Sequence, residues 1–360
     1  MKRILLLLFL SISFSLPGYA QNATQKIDEL LQKYQQKGRF DGTVLLAKNG
    51  NIIYQRQFGL ANRQFNVPIS SSTKFPVASI TKLYAAILIL KLQEQGKLHI
   101  DSPIFNYSPN LLPKNNKKIT LRQLLVHTAG LPNERIADYT AQLSAKNFIQ
   151  KRIADTLLST PGTTYRYNNV NFVLLTAIME QVSCKKWADL LADLIIKPLQ
   201  LQQTGVVKRD SVIKNLAYGY HNYSFGNEKV KDPLENDDPL FLENYAGAGA
   251  IFTTPVELLK LNQALAAGQV LSPASLALLY QPGLKTGQSV TSEEVTPGGY
   301  LKTLSIGDKK IKAIERNGNI MGYNATYLQL PESKQVLIVF CNTDANNLSK
   351  IMLEILTIAL

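Results

Sequence analysis

The chain has 360 residues, 45% of them hydrophobic, and a formal charge of +13. At about 150 residues per domain this is two domains' worth of chain, ample for a large core. The two cysteines, Cys184 and Cys341, are too few and too separated for a disulfide framework or a thiolate metal site, and the small lysine clusters (Lys114, Lys117 and Lys118; Lys309, Lys310 and Lys312) come with no nucleic-acid motif.

The first twenty residues, MKRILLLLFLSISFSLPGYA, place Lys2 and Arg3 before an apolar core, a helix-breaking Pro17 and small residues at Gly18 and Ala20. They read as a secretory signal cut after Ala20, giving a periplasmic or secreted mature protein whose charge falls from +13 to +11 as Lys2 and Arg3 leave. No later apolar run reaches the roughly 18 to 20 residues of a membrane span, so no integral span is expected. The residual positive charge suits carboxylate-bearing substrates or an anionic cell envelope.

Ile27, Leu30, Leu31 and Tyr34 fall at helix spacing. TVLLAK, Asn49-Gly50 and NIIYQRQ follow as a hairpin, Asn-Gly being the strongest short turn signal for paired strands. FPVASITK then places Ser79 three residues ahead of Lys82, at the mouth of the apolar run ITKLYAAILILKLQEQGKL. Residues three apart share a helix face, so the Lys82 amine can reach the Ser79 oxygen. The same spacing also starts at Ser71, Ser183 and Ser211, but in polar or charged surroundings without a buried helix to follow. Locally, Ser79 is either a nucleophile with its activating amine one turn away or a polar residue opening a helix.

The middle of the chain, from about residue 81 to 279, is mostly helical and broken by loops rich in Pro, Asn and Gly. A Tyr-x-Asn triplet, Tyr167-Asn168-Asn169, sits between PGTTYR and the apolar VNFVLLTAIMEQV; Tyr220-His221-Asn222 repeats the pattern and shows that it is weak alone. Residues 222–242 read as a long loop that could edge a cleft. Arg316-Asn317-Gly318 ends a strand ahead of a second hairpin, ATYLQL and QVLIVFCN across Pro331 to Lys334, and a final helix carries Leu348, Ile351, Met352, Ile355 and Ile358 on one face. A lone hairpin is only marginally stable in water, so the strands at the two ends are expected to share one antiparallel sheet.

No Gly-x-Ser-x-Gly elbow points to a Ser-His-Asp enzyme, and His99, His127 and His221 lack paired ligand spacing, so neither metal nor cofactor is expected. Trp187 reads as core or rim rather than as a ligand stacker.

Taken together, these blocks resemble the serine β-lactamase and penicillin-binding protein superfamily, in the branch of class C β-lactamases, D,D-carboxypeptidases and related esterases. The resemblance covers nearly all of the mature chain: FPVASITK, LRQLLVHTAGLP, PGTTYRYNNVNF, IIKPLQLQQTG and AGAGAIFTTPVELLKL are each similar, in order, to a block of that family. It implies an α/β fold of the β-lactamase/transpeptidase type, an antiparallel sheet built from both chain ends and flanked by helices, with a helical region inserted. The expected division is a leader at 1–20, sheet regions at about 21–70 and 295–360, and a helical region at about 71–294.

It also implies roles. Ser79 would attack a carbonyl, Lys82 take or relay its proton, and Tyr167 serve as the second proton carrier. Asn169 would orient Lys82 and the substrate amide; the backbone N–H groups of Ser79 and Asn319 would form the oxyanion hole; Gly318 would leave room for substrate along the strand. Arg316 stands where the family has Lys or His. It keeps a positive charge that can grip a carboxylate twice, but cannot lend a proton. Asn168 replaces a small serine, a change expected to be tolerated, and the histidine corresponding to His127 is structural. The implied protein is a secreted monomeric hydrolase of peptide or small-molecule substrates, peptidoglycan-derived ones among them, working through an acyl-serine intermediate. D-Ala-directed peptidase or esterase chemistry is favoured over that of a dedicated β-lactamase. The alternative of another class is an inactive cell-wall binding module.

Overall fold

The computed structural model describes residues 17–109, 118–152, 157–222, 233–236, 241–284 and 293–360. Most of the expected leader, Lys114, Lys117 and most of the 222–242 loop therefore lie outside the described residues. The first helix, α1 (Pro17–Gln36), runs through the expected cleavage point.

Seven strands form one antiparallel sheet: β1 (Gly42–Lys48), β2 (Asn51–Phe58), β3 (Glu294–Val295), β4 (Tyr300–Ile306), β5 (Lys309–Ile320), β6 (Tyr323–Leu330) and β7 (Gln335–Cys341). Their spatial order is β3-β4-β5-β6-β7-β1-β2, so the N-terminal hairpin completes the sheet by pairing β1 with β7. Asn49 and Gly50 both adopt positive φ, the conformation a tight hairpin turn needs. This is the α/β architecture expected, with both chain ends in one sheet.

The central strands are buried on both faces, and alternation assigns each side chain to one of two cores. Val44, Leu46, Leu337 and Val339 join Ile27 and Leu31 of α1 and Leu348, Ile351, Met352 and Ile355 of the last helix. Leu45, Ala47, Ile338 and Phe340 face the other way, onto a larger core built around α2 (Thr81–Glu94) and α3 (Asn169–Ser183). Helix α2 is apolar on nearly every side because other elements surround it, which explains the unpunctuated run of its sequence. The last helix, α4 (Leu348–Ala359), has only one buried face and a correspondingly periodic sequence. Trp187 is in the core, and Cys184 and Cys341 are free thiols, one exposed and one buried.

Two features bring the sheet to the site. Strand β4 pairs with β5 only as far as Tyr300 opposite Glu315, whereas β6 continues beside β5 to Ile320. Beyond Glu315, β5 thus has sheet pairing on one edge, and its other edge runs beside the turn that carries Ser79.

Candidate active site

Ser79 sits in a single 3₁₀ turn, Ala78–Ile80, that feeds straight into α2. A short sheet holds this turn from below: Val77 N–H donates to Ile251 O at 3.0 Å, and Ile251 N–H to the Thr81 hydroxyl at 3.0 Å. Ala78 is forced to φ 43°, a left-handed conformation an alanine adopts only where surrounding structure imposes it. From above, β5 presses on the turn at Gly318. A Cβ there would lie 2.1 Å from Val77 O and 3.1 Å from Ser79 N. Gly318 was expected to clear a path for substrate; its first requirement is the close approach of two backbones.

Lys82 is fully buried. Its Nζ lies 2.9 Å from Ser79 Oγ, 2.7 Å from Asn169 Oδ1 and 2.7 Å from the Ala248 carbonyl. Burial, assisted by the Arg316 charge and opposed by Glu134, holds this amine well below its ordinary pKa. A neutral amine has two N–H bonds and one lone pair. Asn169 and Ala248 accept the two hydrogens, so the lone pair is left facing the serine hydroxyl.

The Tyr167 hydroxyl lies 2.5 Å from Ser79 Oγ. Burial first, then neighbouring Tyr300, pushes this phenol above its ordinary range, so it is held as a donor at neutral pH. Its ring is fixed by His127, whose centroid lies 4.6 Å away, and has the Lys82 Nζ 4.9 Å from its centroid. His127 is itself buried, accepts the Asn168 N–H at Nδ1 (3.2 Å) and packs on Phe172. Burial and the charges of Lys82 and Arg316 keep its imidazole neutral by lowering its pKa. It therefore sits as a packing and hydrogen-bonding wall behind Tyr167.

Asn168 does more than replace a small residue. Its Oδ1 caps α3 by accepting the Val170 N–H at 2.8 Å, and its Nδ2 donates to the carbonyls of Leu131 (2.7 Å) and Pro132 (3.0 Å). The larger amide thus ties the 127–134 segment to the start of α3, which carries Asn169. Asn169 bridges Lys82, through Oδ1, to Glu134, whose Oε1 accepts the Asn169 Nδ2 hydrogen at 2.5 Å.

Arg316 is also buried. Its guanidinium donates to the carbonyls of Gly298 and Pro297 at 3.3 Å and lies 5.3 Å from the Tyr300 ring centroid, whose hydroxyl in turn is 2.9 Å from that of Tyr165. Among the described residues Nη1 has no hydrogen-bond partner. On the same strand Asn319 is exposed, three positions along toward the serine turn.

Four of the seven residues singled out from sequence, Ser79, Lys82, Tyr167 and Asn169, are therefore joined by direct hydrogen-bond contacts, and Gly318 touches the nucleophile turn. Sequence reasoning missed Glu134, the Ala248 carbonyl and the Tyr165–Tyr300 pair. Glu134 follows the block LRQLLVHTAGLP by two residues, the one hint available. Among the described residues no group of three or more His, Cys, Asp or Glu is gathered to hold a metal ion, and no helix is long and apolar enough to cross a membrane.

The Beta-lactamase family model matches residues 27–357. A penicillin-binding protein of Bacillus subtilis (strain 168) is 26% identical over 338 residues, 90% of this chain and 73% of that protein. The teichoic acid D-alanine hydrolase of Staphylococcus aureus (strain MRSA252) is 28% identical over 320 residues, 88% of this chain and 74% of that one. Among solved structures, the D-amino acid amidase of Ochrobactrum anthropi SV3 with D-phenylalanine superposes with a TM-score of 0.78 at 22% identity, covering 94% of this chain and 98% of that chain, which shows a shared fold.

Proposed function

We propose that this chain, which belongs to the Beta-lactamase family, is a serine hydrolase acting through an acyl-serine intermediate on a D-alanyl or similar D-aminoacyl carbonyl, as an ester or amide. The observation that carries the reading is the contact of one serine oxygen with both an amine of depressed pKa at 2.9 Å and a phenol at 2.5 Å. Two relatives whose names speak of D-alanine and D-amino acid chemistry support the acyl class.

The Lys82 lone pair takes the Ser79 proton as Oγ attacks the carbonyl carbon. The resulting oxyanion is received by the N–H groups of Ser79 and Asn319, a kind of contact whose loss typically costs about 2.7 to 4 kcal/mol in the barrier. As the tetrahedral species collapses, the carbon–leaving-group bond breaks and Tyr167 gives its proton to the departing oxygen or nitrogen. The proton held by Lys82 returns to the phenolate. In the second half the roles reverse: water loses its proton to the Tyr167–Lys82 pair as it attacks the acyl carbon, and Ser79 recovers its hydrogen. Arg316, with Nη1 free, grips an anionic group on the leaving side, a carboxylate or phosphate. The enzyme acts outside the cytoplasm after removal of residues 1–20. A dedicated β-lactamase activity is ranked below these reactions.

Intact mass spectrometry after exposure to a fluorescent penicillin tests the reading. A one-to-one adduct that disappears in Ser79→Ala is expected, together with hydrolysis of D-alanyl esters or amides. An unmodified protein that turns over neither would sink it in favour of a binding module, and rapid, steady nitrocefin hydrolysis would reverse the ranking.

A further inference from the structure

Away from Ser79, a cavity of about 880 Å³ lies between α1, α4 and the segments that carry Arg63 and Leu234. Leu30 and Tyr34 on its wall pack against the core on the α1 and α4 side of the sheet, whereas Ser79 opens α2 on the other side. Five cations meet on this wall: Lys33, Lys37, Arg39, Arg63 and Lys350. Among the described residues Glu354 is the one acid beside them, and its Oε2 already accepts the Tyr34 hydroxyl hydrogen at 2.9 Å. Two of the cations are held in place. Arg39 Nη1 donates to the Ala345 carbonyl at 3.1 Å, and Arg63 pairs with Asp41 while its guanidinium lies 5.6 Å from the Tyr220 ring centroid. Arg63 Nε is buried and has no hydrogen-bond partner among the described residues, so one donor on this side lacks an acceptor.

A helix C-terminus attracts cations, which accounts for Lys33 and Lys37 at the end of α1. It does not account for Arg39, Arg63 and Lys350, which arrive from the entry to β1, the segment after Asn62, and α4. Gathering like charges around one recess costs repulsion, and an anion inside relieves it.

Charge and size together define that anion. Setting Glu354 and Asp41 against the five cations leaves three positive charges, more than a single carboxylate can answer. A phosphate concentrates close to two charges and three acceptor oxygens on one tetrahedral group, which guanidinium and ammonium donors can meet from several directions. The space is ligand-sized rather than ion-sized, and Leu30, Pro233 and Leu234 give it an apolar stretch for the body of the molecule.

We infer that this cavity binds an organic phosphate, a phosphorylated sugar or polyol, either free or as the headgroup of an anionic lipid. The site is separate from the serine, and the inference stands independently of the hydrolase reading.

Isothermal titration calorimetry of the purified protein with fructose 1,6-bisphosphate, with fructose as the neutral control, tests the free form at low and high salt. Lys33→Ala/Lys37→Ala removes two wall cations; both side chains are exposed, so the fold is retained, which circular dichroism checks. Lys309→Ala/Lys310→Ala removes the same charge from an exposed cluster outside the wall. Saturable one-to-one binding of the bisphosphate is expected, absent with fructose and weaker as salt rises. It should fall by at least about 10-fold in the first double variant, the range of a charged hydrogen bond, and stay unchanged in the second. Co-sedimentation with phosphatidylglycerol vesicles, against phosphatidylcholine vesicles, reads the other source: vesicle binding lost in the first double variant alone, without binding of the soluble bisphosphate, assigns the phosphate to a lipid headgroup. Equal losses in the two double variants, or no binding in either assay, overturn the inference. Penicillin labelling of Ser79 in the same preparations keeps the two readings apart. Labelling without phosphate binding defeats this inference alone, and phosphate binding without labelling defeats the hydrolase reading alone.

Discussion

The Tyr167 hydroxyl and the Ser79 oxygen are 2.5 Å apart although 88 positions of chain separate them. The phenol and Lys82 meet the same serine oxygen, so the nucleophile is approached by a donor and an acceptor at once. With its pKa raised by burial, Tyr167 keeps its proton until a stronger base forms on the leaving group. Tyr167→Phe removes that donor and leaves the ring packing on His127 in place. The variant should lose about 10²- to 10⁴-fold in kcat, the usual worth of a positioned general acid, and lose less on activated esters, whose leaving groups need no proton. Steady-state kinetics on a matched amide and nitrophenyl ester would check this; equal losses on both would contradict it.

The depressed pKa of Lys82 fixes the shape of the pH profile. Below its folded pKa the amine is protonated and has no lone pair for Ser79, so kcat/KM should rise with pH and level off well below the ordinary lysine value of 10.5. The raised phenol pKa of Tyr167 places any alkaline decline above 10.0. A profile of log kcat/KM from pH 5 to 10 provides the measurement. A flat acidic side would remove Lys82 from the role of base.

Arg316 acts on both substrate and Lys82. In Arg316→Met, substrates with an anionic leaving group should lose about 10- to 100-fold in kcat/KM, corresponding to about 1.5 to 3 kcal/mol for a charged hydrogen bond, while neutral esters lose little. Because the Arg316 charge lowers the Lys82 pKa, its removal should also move the acidic limb of the pH profile to higher pH. Kinetics on one anionic and one neutral substrate, each across pH, test both effects.

At Gly318 the constraint is the backbone. Gly318→Ala puts a carbon where Val77 O already lies, 2.1 Å away, so β5 and the nucleophile turn must separate. Since Ser79 N–H and Asn319 N–H are the proposed oxyanion donors, activity should fall by at least about 100-fold, and penicillin labelling should slow in parallel. Unchanged labelling would show that the turn tolerates the displacement.

Asn168→Ala should cost about 0.5 to 2 kcal/mol for the lost helix cap, and more because the Leu131 and Pro132 carbonyls lose their donor. Asn168→Ser keeps a capping oxygen but cannot span to both carbonyls, so it should fall between the two. Denaturant unfolding of the three proteins measures the order. If serine matched asparagine, the ties to the 127–134 segment would be energetically idle.

The amino-acid sequence determined by itself what depends on near neighbours in the chain. The apolar runs of β1 and β7, the Asn49-Gly50 turn, the one-faced period of α4 and the reach of Lys82 to Ser79 are all set by backbone geometry over a few residues, and each is readable there. The ordered blocks made the fold legible as well. What the tertiary structure alone decided lies between segments far apart. The stop in β4 pairing at Glu315 gives β5 a free edge beside Ser79. The approach of β5 makes Gly318 obligatory, Asn168 turns out to be a tether, and Glu134 is carried to the far side of Asn169. None of these contacts can be read from neighbouring residues, because a side chain's desolvation, its charged neighbours and its unfilled hydrogen bonds arise only when remote pieces of chain close around it.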